Sequence, residues 1–163
     1  MRIDAHQHFW QLDQEGRDWP TSDLTAIYQD FMPDDLKPLL HAAKLDGTVL
    51  VQTMERVEET EFMLSLAERH DLILGVVGWV DMKAPHAAAD IERLSQNRRF
   101  VGIRPMLQDM ADSNWIDDTA LAPAVDALIR NRKTFDALVR PRQLKALYRF
   151  ASRYSDLPIV IDH

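Results

Sequence analysis

Six short runs rich in β-branched and other apolar residues recur along the chain, separated by amphipathic helical stretches, and few folds accommodate that alternation. The runs are Arg2–Ala5, Gly47–Thr53, Ile73–Val80, Arg99–Arg104, Thr134–Val139 and Leu157–Asp162. Most are too apolar for a sheet with one wet face, so they predict strands covered on both sides. Between them, Phe62, Met63, Leu66 and Ala67 form an apolar stripe, with Glu58, Glu61, Glu68 and Arg69 facing away. Ala87, Ala88, Ile91 and Leu94 repeat the pattern, as do Leu121, Val125, Leu128 and Ile129. Leu144, Leu147, Ala151 and Tyr154 follow behind Pro141 in a first-turn position, and Pro33 opens a further helix from Asp34 to Ala43. Strand and helix alternate throughout, which predicts an α/β fold with a parallel sheet and helical crossovers.

The strand starts are spaced by about 31 residues, so eight such units need roughly 250, the usual size of a closed (β/α)8 barrel. At 163 residues the chain reaches only its sixth strand. The spacing therefore predicts a single domain, 1–163, forming the N-terminal part of a longer barrel. An open, doubly wound six-stranded sheet is the alternative that spacing alone leaves standing.

Composition narrows the function classes. A net charge of −7, spread along the chain, argues against nucleic acid as a partner. No apolar run approaches the ~18 residues of a membrane span. The opening Met-Arg-Ile-Asp-Ala-His has no apolar stretch behind it of the kind a signal peptide carries. The absence of cysteine excludes disulfide and thiolate chemistry and fits a reducing compartment, so a cytoplasmic enzyme is expected.

Parallel α/β folds gather their active sites at the carboxyl ends of the strands. The first run leads into Asp4-Ala5-His6-Gln7-His8, and alternation puts His6 and His8 on one face, able to converge on a metal ion or a substrate oxygen. Arg104 ends the fourth run, where a guanidinium can grip a carboxylate or polarise a carbonyl. His163 follows the sixth. Gln52 and Trp79, at the ends of the second and third, are candidates to line a pocket. His41, His70 and His86 fall in or beside helices and read as surface residues. Asp4 and Asp162 are expected to face away from the histidines, leaving no evident general base. Some two dozen residues before Pro33 lack periodicity and carry Phe9, Trp10, Trp19, Tyr28 and Phe31. A loop of that length is often a lid or binding loop. Its aromatics, Trp10 among them, either offer stacking surface to a ring or pin the loop to the barrel.

Read together, Ile3-Asp4-Ala5-His6-Gln7-His8-Phe9-Trp10, Asp18-Trp19-Pro20 and Phe31-Met32-Pro33-Asp34-Asp35-Leu36 resemble the lactonase-type branch of the amidohydrolase superfamily. That branch includes L-fuconolactonases, L-rhamnonolactonases and pyrone-dicarboxylate lactonases. The resemblance continues through Leu50-Val51-Gln52, Gly75 to Asp81, Val101-Gly102-Ile103-Arg104, Phe135 to Val139 and Pro158 to His163. It implies a distorted (β/α)8 barrel, of which this chain supplies about the first six strands, and water attack on a lactone carbonyl. By similarity, His6 and His8 hold the substrate or a metal, Arg104 binds the carbonyl or carboxyl side, and His163 lies across the pocket. The resemblance also implies a carboxylate base from the eighth strand and no required metal. Residues 1–163 by themselves are then expected to be inactive. Two further readings keep the same residues. One is a zinc-dependent amidohydrolase or decarboxylase with His6, His8 and His163 as ligands. The other is a non-catalytic half-barrel that binds a ligand or assembles with another chain. Oligomeric state is not legible in the residues.

Overall fold

The computed structural model describes residues 1–162. Its strands are β1 (Ile3–Gln7), β2 (Gly47–Val51), β3 (Ile73–Gly78), β4 (Phe100–Ile103), β5 (Thr134–Leu138) and β6 (Ile159–Asp162). The helices between them are α1 (Pro33–Ala43), α2 (Val57–Arg69), α3 (Ala87–Leu94), α4 (Ala122–Arg130) and α5 (Leu144–Arg153). All six strands are parallel and lie side by side in chain order. A doubly wound sheet reverses its strand order at a switch point, and this one never does. Crossovers of a single hand then place every helix on the same side, and the sheet curls into part of a barrel. The open-sheet alternative is thereby ruled out.

Local chemistry explains the helix boundaries. Pro33 supplies a fixed φ at the first position of α1, and the Asp35 carboxylate accepts from the Met32 N–H at 2.8 Å. The helix ends at Lys44 in the left-handed region, φ 56°. The inner faces of α2, α3, α4 and α5 pack on the outer face of the sheet through residues such as Met63, Leu66, Ile91, Leu128 and Phe150. Phe100, Phe135 and Phe150 are fully buried, and the Phe135 and Phe150 rings sit 5.0 Å apart. The edge strands are less covered: Ile3, Val160 and Ile161 remain exposed. No helix among the described residues is long and apolar enough to cross a membrane.

Two features shape the strand ends. Gly102 in β4 lies so close to β5 that a Cβ there would fall 2.0 Å from Thr134 Oγ1 and 2.8 Å from the Thr134 carbonyl. A side chain at 102 would thus force apart the two strands that carry Arg104 and Asp136. Between β4 and α4 the chain makes three short 3-10 turns, Leu107–Asp109, Trp115–Asp117 and Thr119–Leu121, which the sequence pattern did not reveal. Arg140 and Arg142 hold the first of them by donating to the Gln108 carbonyl, and buried Gln143 donates to that of Leu107.

Candidate active site at the strand ends

The carboxyl ends of β1, β2, β4 and β6 bring five polar side chains together. His6 Nε2 and His8 Nε2 lie 3.3 Å apart, with the rings edge to face. His8 Nδ1 is 2.8 Å from the Val51 carbonyl, which can only accept, so Nδ1 carries the proton and Nε2 presents its lone pair. Arg104, nearly fully buried, donates to the Gln52 carbonyl, to Asp162 Oδ2 at 3.3 Å and towards His6 Nε2 at 3.4 Å. Gln52 returns a bond from its Nε2 to the Arg104 carbonyl at 2.7 Å, so the ends of β2 and β4 clasp one another. Asp162 reaches His6 Nδ1 with its other oxygen at 3.3 Å.

Asp162 therefore points into the site, contrary to the expectation from the sequence. That expectation took His163 as the inward residue, and neighbours on a strand face opposite ways. The buried cation of Arg104 claims the Asp162 carboxylate instead. Asp4 folds back locally, accepting from the His6 backbone N–H at 3.2 Å. His163, the remaining candidate, lies outside the described residues.

The electrostatics follow from burial and pairing. Burial is the main force that holds His8 down, to about 4, with Arg104 and His6 acting the same way against the Val51 hydrogen bond and Asp162. His8 is thus a neutral acceptor across the ordinary pH range. Burial opposes the charge on Asp162, but His6 and Arg104 together outweigh it and hold the carboxyl below its usual range. Asp136 in β5, which sequence reasoning did not single out, goes the other way. Burial raises it to about 6, Asp162 adds to the shift, and a 2.8 Å bond from Thr134 Oγ1 opposes it.

The folded chain holds the Asp136 proton more tightly than the unfolded chain does. Its contribution to stability is therefore full below the ordinary value of 3.8 and is lost as pH rises through about 6. Asp136→Asn keeps an oxygen for Thr134 and never ionises. It should match the parent near pH 4 and exceed its stability by about 2–3 kcal/mol at pH 8. Denaturant titrations at the two pH values check this, and equal stabilities at pH 8 would place the Asp136 charge at no cost.

Above these residues opens a cavity of about 640 Å³, walled by His8, Asp18, Trp19, Thr53, Glu55, Arg104, Gln108, Asp109 and Leu138, among others. Trp10 is not part of the wall. It is buried against Trp19 and Phe31, with ring centroids 5.1 and 4.9 Å away, and a two-way backbone bridge joins it to Phe31. Of the loop aromatics, Trp10, Phe9 and Phe31 pin the loop, while Trp19 meets the cavity. Gln52 is buried beneath Arg104 and away from the opening. Trp79 faces a second hollow of about 340 Å³ with Glu55, Asp81, Lys83 and Trp115. A groove of about 720 Å³ between α2 and α3 lies on the outer surface, away from the carboxyl ends of the strands. The rim of the main cavity carries Asp18, Glu55 and Asp109 beside Arg56: burial raises Glu55 above its usual value, and Asp109, Asp81 and Asp18 add to the effect.

Comparison with known proteins gives this arrangement a context. The Amidohydrolase family model matches residues 3–163. The chain belongs to the amidohydrolase family. It is 52% identical over its whole length to an L-fucono-1,5-lactonase of Burkholderia ambifaria, of which it covers 56%. A crystal structure of an amidohydrolase from Burkholderia multivorans with bound HEPES superposes with a TM-score of 0.91 at 36% identity, covering all of this chain and 57% of that one. A second structure from that organism, with bound zinc, gives 0.89 at 37% identity. The chain thus spans a little over half the length of the relatives it matches and supplies six parallel strands of an amidohydrolase barrel.

The zinc of that relative raises the question of fit. Two ligands on a tetrahedral zinc at about 2.0–2.1 Å stand roughly 3.3 Å apart, and His6 and His8 Nε2 are separated by 3.3 Å. Two imidazoles of this amidohydrolase therefore fit two corners of a divalent ion. No cluster of three His, Cys, Asp or Glu residues able to complete the set occurs among the described residues.

Proposed function

We propose that the complete protein hydrolyses a neutral five- or six-membered aldonolactone, of the L-fucono- or L-rhamnonolactone kind, by attack of water on the ring carbonyl. The convergence of Arg104 with His6 and His8 beneath an open cavity carries this reading, and the 52% identity to an L-fucono-1,5-lactonase supports the substrate class. Ring opening needs a group to take up negative charge on the carbonyl oxygen and a base for the water. Arg104 supplies the first, its guanidinium pre-oriented by Gln52 and Asp162. His6 joins Asp162 to the reaction centre and helps orient the ring, and neutral His8 accepts a hydrogen bond from substrate or water. Asp162 is a poor base because its charge is already stabilised. We assign the base to a carboxylate outside these residues. On the rim the three carboxyl groups of Asp18, Glu55 and Asp109 outnumber Arg56, a balance that suits an uncharged polyol ring over an anionic one.

His6 and His8 would be the protein ligands for a divalent metal, which when bound would polarise the carbonyl and acidify water. With Arg104 already placed to serve the carbonyl, we take the metal to be dispensable. A pH-indicator assay of the full-length protein across sugar lactones should show turnover of neutral aldonolactones that chelator changes by less than about twofold. Loss of activity restored by zinc would transfer the electrophile's role from Arg104 to a metal on His6 and His8.

A further inference from the structure

Arg17 and Glu59 form a buried ion pair that the reading above leaves unused, with side chains only 2% and 1% exposed. Burying two charges is costly unless their remaining hydrogen-bonding capacity is met, and here most of it is met by parts of the site, Arg17 Nε being the one atom of the pair that finds no partner among the described residues. Glu59, in the first turn of α2, accepts from Thr53 N–H at 2.8 Å, Met54 N–H at 2.7 Å, Thr53 Oγ1 at 2.5 Å and Arg17 at 3.2 Å. Arg17 donates to Gln14 Oε1 at 2.7 Å, to Thr53 Oγ1 at 3.0 Å and to the Trp19 carbonyl at 3.0 Å. Thr53 and Met54 follow directly on Val51 and Gln52, whose carbonyls orient His8 and Arg104. Asp18 and Trp19, flanking this clasp, form the loop's share of the cavity wall.

We infer that Arg17 and Glu59 are positioning residues for lactone hydrolysis, latching the Asp18-Trp19 loop to the end of β2 so that the cavity wall and the catalytic side chains share one frame. This rests on the lactonase reading for its kinetics but not for its mechanics. Neither residue touches the cavity's reacting groups, so the latch acts through the wall it holds. Its loss removes binding made equally in ground and transition states, which raises KM more than it lowers kcat.

The test is the full-length Arg17→Met/Glu59→Gln double variant, which leaves no unpaired charge in the site, alongside Arg17→Lys, which keeps the charge but not the planar fork. Hydrogen exchange of residues 11–24 should speed at least tenfold in the double variant, with α2 and the strands unchanged. KM for the aldonolactone should rise about tenfold with kcat within threefold, and Arg17→Lys should recover part of both. Unchanged loop exchange, or faster exchange with unaltered KM, overturns the latch. So does a uniform rise in exchange across the fold with a matching loss of kcat, the pattern of a purely structural pair. A parent protein with no lactonase activity would sink the substrate assignment, and the exchange result would still decide whether the pair holds the loop.

Discussion

On the proposed lactonase reading, replacing Arg104 by methionine should lower kcat/KM of the full-length protein for an aldonolactone by about a thousandfold, roughly 4 kcal/mol of transition-state stabilisation. The size follows from what the guanidinium does. It is a buried cation held by Gln52 and Asp162, so it meets developing charge with little reorganisation. Methionine preserves much of the side-chain volume and removes every donor. Lysine should rescue little, because one ammonium cannot serve Gln52, Asp162 and the substrate in the geometry of a planar fork. The change also leaves Asp162 with the His6 imidazole in place of a guanidinium partner, so thermal stability must be read alongside the kinetics. A variant that melts like the parent and retains a tenth or more of its activity would remove Arg104 from the chemistry.

A comparably large effect on stability is expected at Glu59. Glu59→Ala strands the Arg17 guanidinium and two backbone N–H groups in a region closed to water. Breaking one side of a buried pair typically costs about 3–5 kcal/mol, which for a chain of this size corresponds to a fall in Tm of roughly 10 °C. Its neighbour Glu58 gives the control: that side chain is 72% exposed and pairs with Arg56 at the surface. Glu58→Ala should move stability by no more than about 0.5 kcal/mol. Scanning calorimetry on the two variants decides the point, and equal melting temperatures would mean that water reaches Arg17.

Glu58 and Glu59 also illustrate what a sequence can reveal. Both are acidic residues in the first turn of an amphipathic helix, and periodicity assigns neither a partner. Arg17 lies more than 40 residues earlier in an aperiodic loop, and only the packed loop brings it to Glu59. Trp10 and Trp19 present the same difficulty. Two tryptophans in one loop read alike, yet the bridge between Trp10 and Phe31 turns one inward and leaves the other on the cavity. Asp136 escaped notice because a carboxylate in a strand interior carries no local signature. Its burial is set by β4, where Gly102 lets Thr134 approach.

What the sequence determined by itself was the order and type of elements, the parallel sheet and the strand ends at which the candidate site residues meet. Those properties depend on period-2 and period-3.6 apolar patterns and on proline positions, which act over a few residues. His6, His8 and Arg104 were legible because each is a polar residue at the end of an apolar run. The tertiary structure alone decided which carboxylate answers Arg104, which aromatic meets the cavity, and what holds the loop in place. Those outcomes turn on pairing across 21 to 58 residues of chain, where each side chain takes whichever partner the packed strands and loops bring within reach.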